Sequence, residues 1–243
     1  MNQRIVILGA GESGVGAAIL AKLQGYDVFV SDGGKIKDEF KKELTQYKIE
    51  FEEAEHSEEK IFSAKEIMKS PGIPEKNELI KKIRAKGIEI ISEIELAYRH
   101  KGDSKVIAIT GSNGKTTTTS LIYHICKTAN LDCALVGNIG FSFAKQVAIE
   151  PKPLYVIEVS SFQLDDMHDF KADIAVLTNI TADHLDRYEY KIENYIQSKL
   201  RIINNLEKDD WFIYNADDEV ITKELAAKKL TMNTAPFSLK KEI

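Results

Sequence analysis

Short apolar runs alternate with helix-period segments through most of the 243-residue chain. Arg4 is followed by Ile5-Val6-Ile7-Leu8, a continuous apolar run of the kind found in strands covered on both faces. A glycine-rich turn follows, then a predicted helix from about Ser13 to Gln24, ended by Gly25. Asp27–Ser31 reads as a second strand, a charged helix is expected near Lys37–Tyr47, and Ile67–Lys69 reads as a short strand. The cluster Ser70-Pro71-Gly72-Ile73-Pro74 stops that strand. A helix near Glu75–Lys86 and a strand near Ile88–Ile91 complete the first series, and the polar stretch from Arg99 to Lys105 reads as a linker. The second series has expected strands at Val106–Thr110, Cys133–Val136, Leu154–Val159, Ile174–Leu177 and Trp211–Tyr214. Strand–helix alternation of this kind predicts an α/β fold with mostly parallel, doubly wound sheets. Two domains are expected, 1–98 and 99–243, with no internal repeat or low-complexity tract.

Composition narrows the function. Hydrophobic residues are 43%, charged residues 29%, and the net charge is −5 with both signs mixed, so the basic footprint of a nucleic-acid binder is missing. No apolar run approaches the roughly 18 residues of a membrane span. The start of the chain enters a strand at once and reads as having no signal peptide. Cys126 and Cys133 fit neither a disulfide framework nor a metal spacing and read as reduced thiols of a cytoplasmic protein.

Two glycine clusters carry candidate chemistry. Gly9-Ala10-Gly11-Glu12-Ser13-Gly14 satisfies G-x-G-x-x-G between a strand and a helix, with Asp32 and Gly33 ending the next strand. Its glycines permit a tight turn, and the helix N-terminus offers N–H groups to a phosphate. The motif leaves NAD, FAD and a UDP-sugar open, and a turn kept only for helix packing is the plain alternative. The second cluster, Gly111-Ser112-Asn113-Gly114-Lys115-Thr116-Thr117, follows Val106–Thr110 and precedes a helix. It is a short phosphate loop, G-x-x-G-K-T, with Ile109 where the longer pattern has a glycine. Lys115 is expected to reach the β- and γ-phosphates of a nucleotide and Thr116 to ligate Mg²⁺.

Ligands in open α/β sheets bind at the carboxyl ends of strands. Those ends carry Asn138, then Glu158 with Ser160 and Gln163, then Thr178-Asn179 followed by Asp183-His184-Leu185-Asp186, and last Asn215-Ala216-Asp217-Asp218. Glu158 interrupts an apolar strand, where a carboxylate costs several kcal/mol unless it is paired or bound to a metal; a structural ion pair is the alternative to Mg²⁺. His184 is flanked by two aspartates that would orient it as a ligand, although a lone histidine is more often structural. Lys199 falls on the stripe of Ile192, Tyr195, Ile196, Ile203 and Leu206. Spacing alone favours an ammonium that snorkels to water; if buried, a neutral amine would instead be open to CO₂ and carbamate formation.

Taken together, the phosphate loop, Asn138-Ile139-Gly140, Glu158-Val159-Ser160-Ser161-Phe162-Gln163-Leu164, Asp183-His184-Leu185-Asp186-Arg187-Tyr188 and Ser198-Lys199-Leu200-Arg201 resemble the Mur ligase family, in particular its D-glutamate-adding branch. Ser70-Pro71-Gly72-Ile73 and Glu93-Ile94-Glu95-Leu96 extend the resemblance over nearly the whole chain. It implies a Rossmann-like first domain that holds UDP, not NAD, through Gly11, Glu12, Ser13, Asp32, Gly33 and Gly72. It also implies a central ATP-binding domain. Lys115, Glu158, His184 and a carbamylated Lys199 would be catalytic; Thr116, Glu158, His184 and Lys199 would hold Mg²⁺; Asn138, Ser160 and Gln163 would contact substrate. The implied reaction joins D-glutamate to UDP-N-acetylmuramoyl-L-alanine at the expense of ATP, in peptidoglycan synthesis, by a cytoplasmic monomer. The family's third domain is expected to lie outside this chain, which alone is not expected to complete the reaction. An NAD-dependent oxidoreductase and a nucleotide-binding module without turnover are the alternatives.

Overall fold

The computed structural model describes residues 3–240. In chain order its first elements are β1 (Arg4–Leu8), α1 (Glu12–Leu23), β2 (Asp27–Asp32), α2 (Asp38–Gln46), β3 (Glu50–Glu53), α3 (Glu58–Phe62), β4 (Glu66–Lys69), α4 (Glu78–Ala85), β5 (Glu89–Ile91) and α5 (Glu93–His100). They continue with β6 (Lys105–Thr110), α6 (Lys115–Thr128), β7 (Cys133–Gly137), α7 (Phe143–Ile149), β8 (Leu154–Glu158) and α8 (Ser161–Asp165). The last are β9 (Ile174–Leu177), α9 (Ile192–Leu200), β10 (Trp211–Asn215), α10 (Glu219–Ala226) and β11 (Asn233–Phe237). Contacts divide them into two compact units. One comprises Met1–Gly102, Phe141–Pro151 and Asp166–His168; the other comprises Asp103–Gly140, Lys152–Asp165 and Asp169–Ile243. Two short later segments therefore fold with the first unit.

The first unit is built on a parallel sheet of order β3-β2-β1-β4-β5. Central β1 has Ile5, Val6, Ile7 and Leu8 at zero exposure, as a strand covered on both faces must. One core gathers Val6, Leu8, Phe29, Ile67, Ile80 and Ile83. Helix α1 is buried along nearly its whole length, from Gly14 to Ala21, because the sheet lies on one side and α7 on another. Gly16 permits the second contact, since a Cβ there would lie 2.1 Å from Ser142 Oγ. Ser142 caps α7 and donates to Glu93 Oε1 at 2.7 Å, while Ala144 N donates to the same oxygen at 2.6 Å. Glu93 Oε2 has no partner, and burial pushes the Glu93 carboxyl up to about 7 against those two hydrogen bonds.

The second unit holds a parallel sheet of order β11-β10-β9-β6-β8-β7. Strand β6 lies between β8 and β9, so the loops leaving all three converge at one end. Cys126 and Cys133 are free and sit in this unit's core with Ile109, Val156 and Val176.

Among the elements that depart from the sequence expectation, three have a plain physical reason. Strand β3 is mostly glutamate; Glu52 points inward and is satisfied there by serines, so hydrophobic periodicity is silent. Strand β11 carries Pro236 at the sheet edge, where a missing N–H is tolerated. The expected linker from Arg99 is in part helix: Ser92 caps α5, and Arg99 bonds Glu95 Oε1 at 2.9 Å and Glu66 Oε1 at 2.5 Å.

Candidate active site

The loop from Gly111 to Gly114 joins β6 to α6 at the centre of the second sheet. Its shape depends on two glycines. Gly111 has φ +151°, and a Cβ there would lie 1.9 Å from Thr178 Oγ1. Gly114 has φ +81° and is the N-cap of α6. The segment after β9 braces the loop. Ser112 N donates to Asn179 O at 2.9 Å, Asn113 N to Asn179 Oδ1 at 2.9 Å, and Thr178 Oγ1 to Asn113 O at 2.8 Å. Ser112 Oγ donates to Thr181 O and accepts from Thr181 N, both at 2.9 Å, so the Tyr195 hydroxyl, 3.0 Å away, is its second donor. Ser112 and Asn113 thus use these groups to shape the loop. The N–H groups that remain without an intrahelical acceptor are those of the first turn of α6, from Lys115 to Thr117. A helix N-terminus without an acidic residue in its first turn suits a polyanion. Lys115 Nζ rests on Gly111 O at 2.8 Å and Ser112 O at 2.9 Å, beside that N-terminus.

Glu158 ends β8 at 1% exposure, and both of its oxygens are held. Thr116 Oγ1 donates to Oε2 and Asn138 Nδ2 donates to Oε1, each at 2.7 Å. The hydroxyl and the carboxylate expected to share a cation are therefore adjacent, with an amide fixing the carboxylate plane. The expected contacts Ser160 and Gln163 are bonded to each other: Ser160 N and Oγ donate to Gln163 Oε1 at 2.9 and 3.0 Å.

Lys199 overturns the preference drawn from spacing. It is 1% exposed and does not snorkel; its Nζ lies 4.7 Å from the centre of the Tyr195 ring. Burial, then the Lys115 charge, lowers its amine to about 7, opposed by Asp183 and Asp165. His184 has a left-handed backbone, φ +49°, and an exposed ring 5.3 Å from that of Phe162. Its near acid is Asp183, with Oδ2 3.6 Å from Nε2. Among the described residues no hydrogen bond or ion pair joins His184 or Lys199 to Glu158, and no group of three or more His, Cys, Asp or Glu side chains could hold a metal.

In the first unit, Gly9 (φ +89°) turns the chain into α1, whose N-cap is Gly11, followed by Glu12 and Ser13. Gly14 is obligatory there, because a Cβ would lie 1.8 Å from Gly9 O. Asp32 Oδ2 accepts from Ala10 N at 2.7 Å and Oδ1 from Gly34 N at 2.8 Å, tying the two loops together. Between them opens a cavity of about 260 Å³ lined by Gly9, Asp32, Gly33, His56, Ile73 and Asn77, among others. Gly72 is exposed in the turn before Ile73.

The sequence places Thr178 and Asn179 at a strand end beside the loop without showing that they brace it, and it does not show the roles of Thr181, Tyr195, His56 and Asn77. Tyr195 carried a weak signal as an aromatic with a polar tip on an apolar stripe; His56 carried none.

Comparisons with known proteins match both parts of the chain. The family description "Mur ligase middle domain" matches residues 109–243, and "MurD N-terminal domain" matches residues 4–79. The UDP-N-acetylmuramoylalanine--D-glutamate ligase of Cytophaga hutchinsonii is 58% identical over 241 residues, covering 99% of this chain and 54% of that protein. The enzyme of the same name from Christiangramia forsetii is 54% identical over 243 residues, covering 100% and 54%. The chain therefore spans about half the length of these curated relatives. Among solved structures, UDP-N-acetylmuramate:L-alanyl-gamma-D-glutamyl-meso-diaminopimelate ligase from Neisseria meningitides superposes with TM-score 0.67 at 20% identity, over 98% of this chain and 78% of that one. UDP-N-acetylmuramate-alanine ligase from Thermotoga maritima gives 0.58 at 21%, over 99% and 53%. Those two likenesses speak for the fold. With the middle-domain match covering more than half of its length, the chain belongs to the Mur ligase family.

Proposed function

We propose that this chain is the UDP-binding and ATP-binding part of a ligase that joins D-glutamate to UDP-N-acetylmuramoyl-L-alanine. The observation that carries the reading is the Thr116–Glu158–Asn138 arrangement beneath the phosphate loop. It is supported by the names of relatives 54–58% identical to the chain. In this reading the L-alanyl carboxylate attacks the γ-phosphorus of ATP, the bond to the β-phosphate breaks and ADP leaves, and the D-glutamate amine then displaces inorganic phosphate from the acyl phosphate, losing a proton as the amide forms. Lys115 leaves its two carbonyl acceptors and stabilises charge on the transferring group. The N–H groups of Lys115, Thr116 and Thr117 hold phosphate oxygens.

The donor set fits Mg²⁺, a hard cation that prefers oxygen. Thr116 and Glu158 would hold one ion, and His184 with a carbamate on Lys199 a second. Bound there, the metal supplies neutralisation of phosphate charge. Lys199 fits its part because a buried amine lowered to about 7 is substantially neutral near pH 7, as attack on CO₂ requires. Asn138, by fixing the carboxylate, and Ser160 with Gln163, by capping α8, would shape the path of the UDP-sugar. Gly11, Glu12 and Ser13 would face its diphosphate. We further propose a cytoplasmic monomer; no helix among the described residues is long and apolar enough to cross a membrane.

The test is turnover in the protein carried to the full length of its relatives. ATP hydrolysis should require both UDP-N-acetylmuramoyl-L-alanine and D-glutamate, and Lys115→Ala should lower the rate by at least about 10². Undiminished turnover in that variant contradicts the assignment of the phosphate loop.

A further inference from the structure

Cys126 and Cys133 are seven residues apart in sequence, and the fold brings their thiols together. Helix α6 ends just after Cys126 in a left-handed reversal. Asn130 has φ +58°, Leu131 N donates to Cys126 O and Asn130 N donates to Lys127 O, each at 3.0 Å. The chain thus folds back over the helix end, and Cys133 opens β7 two residues later, opposite Leu154 of β8. Both side chains enter one apolar cluster with Ile109, Val156 and Val176, and both are free thiols. The two thiols are in hydrogen-bond contact with each other.

Their surroundings decide what chemistry is open to them. Cys126 is 7% exposed and Cys133 4%. Every residue from Lys127 to Asp132 is exposed, and β7 is an edge strand of its sheet. Helix ends and sheet edges open locally at small cost, so a small oxidant reaches this corner without unfolding of the whole unit. Burial, then the adjacent Cys126 thiol, pushes the Cys133 thiol up, against the Lys127 charge. A raised thiol is a poor nucleophile at rest, which sets the pair apart from a catalytic dithiol. Among the described residues no group of three or more His, Cys, Asp or Glu side chains could hold a metal, so the pair is left with its own redox chemistry.

We infer that Cys126 and Cys133 are a resolving pair: when a peroxide oxidises one sulfur the other captures it, and the unit ends with a reversible disulfide between them. The thiolate of one cysteine attacks a peroxide oxygen, the O–O bond breaks, and the hydroxide that leaves takes a proton and becomes water. That sulfur is then a sulfenic acid. The second thiolate attacks it, the S–S bond forms, the S–O bond breaks, and a second water leaves. In sum two thiols give up two electrons and two protons, and one peroxide becomes two waters. A sulfur with no thiol beside it goes on to sulfinic and sulfonic acids, which a thiol reductant does not reverse. Either acid would place a charge in the apolar cluster under α6, the helix whose first turn carries Lys115 and Thr116. The disulfide avoids that charge.

The experiment treats the reduced 243-residue chain, and its Cys126→Ser and Cys133→Ser variants, with hydrogen peroxide under native conditions at a level that oxidises free cysteine. Each is then unfolded in urea with a maleimide, and its intact mass is measured. The native chain should lose two hydrogens, about 2 Da, and take up no maleimide, and dithiothreitol should restore both thiols. Trypsin cuts after Lys127, between the two cysteines, so a peptide map should show their peptides joined, a readout that needs no variant. Each variant has one sulfur and no partner, and should gain oxygen that dithiothreitol does not remove. A native chain that gains oxygen without losing two hydrogens, or whose thiols both still take maleimide, overturns the inference. Disulfides formed only between chains overturn it as well, and so do variants that recover as fully as the native chain.

Discussion

Replacing Lys199 by methionine should stabilise the protein at neutral pH, and by an amount that depends on pH. The side chain is 1% exposed, and burial with the nearby Lys115 charge takes its amine from an ordinary 10.5 to about 7. A folded-state value below the unfolded one means that the unfolded chain binds the extra proton between those limits. Stability therefore rises with pH across the window from about 7 to 10.5 and is lowest below it. At about 1.4 kcal/mol per pH unit, the full penalty is on the order of 5 kcal/mol, an upper value because water and local relaxation soften it. Methionine keeps the length and apolar contacts without the charge. Urea unfolding of both proteins, in buffers freed of CO₂ so that no carbamate forms, should find Lys199→Met more stable by about 2–5 kcal/mol at pH 6.5, and the gap should narrow to under about 1 kcal/mol at pH 10. A gap that does not change with pH, or a variant less stable at pH 6.5, would instead mean that the ammonium is solvated or paired in the fold.

Two further substitutions probe other parts of the structure. Gly111→Ala places a Cβ 1.9 Å from Thr178 Oγ1 at a φ of +151°, so it should cost about 1–3 kcal/mol in chemical denaturation and weaken ATP binding; normal values for both would remove the geometric requirement. Glu93, fully enclosed at the start of α5 with Oε2 unpartnered, has its carboxyl raised from 4.5 to about 7, so stability present below pH 4.5 is lost as pH rises through 7, by about 3 kcal/mol. Glu93→Gln should flatten that loss, gaining on the native chain between pH 5 and 8 in a pH series of unfolding midpoints; parallel curves would contradict it.

How much of this was legible in the sequence differs by level. Strands such as Ile5–Leu8 and Ile174–Leu177 declared themselves because both faces are apolar. Strand β3 did not, because its one inward residue is a glutamate satisfied by Ser31 and Ser57, and β11 did not, because an edge admits a proline. The phosphate loop and Glu158 were readable from residue type and place, since a glycine-rich turn between strand and helix, and a carboxylate in an apolar run, each narrow the chemistry sharply. The pairing of Glu158 with Asn138, 20 residues apart, was not readable as a contact, because it depends on β7 lying beside β8. Lys199 was misjudged on spacing because periodicity fixes the face of a helix but not what closes over it; the Tyr195 ring lies beneath the amine. His56 had no pattern at all, and its role in the fold arises from a buried serine 25 residues away.

In the proposed reaction, ATP held at the phosphate loop phosphorylates the alanyl carboxylate before the amine attacks. The direct measurement uses UDP-N-acetylmuramoyl-L-alanine labelled with oxygen-18 in its alanyl carboxylate, ATP, Mg²⁺ and D-glutamate, with the protein carried to the full length of its relatives. The carboxylate oxygen that attacks phosphorus leaves with it when the D-glutamate amine displaces phosphate. One labelled oxygen should therefore appear in each inorganic phosphate formed, in step with amide product. Product formed with unlabelled phosphate would rule out an acyl phosphate.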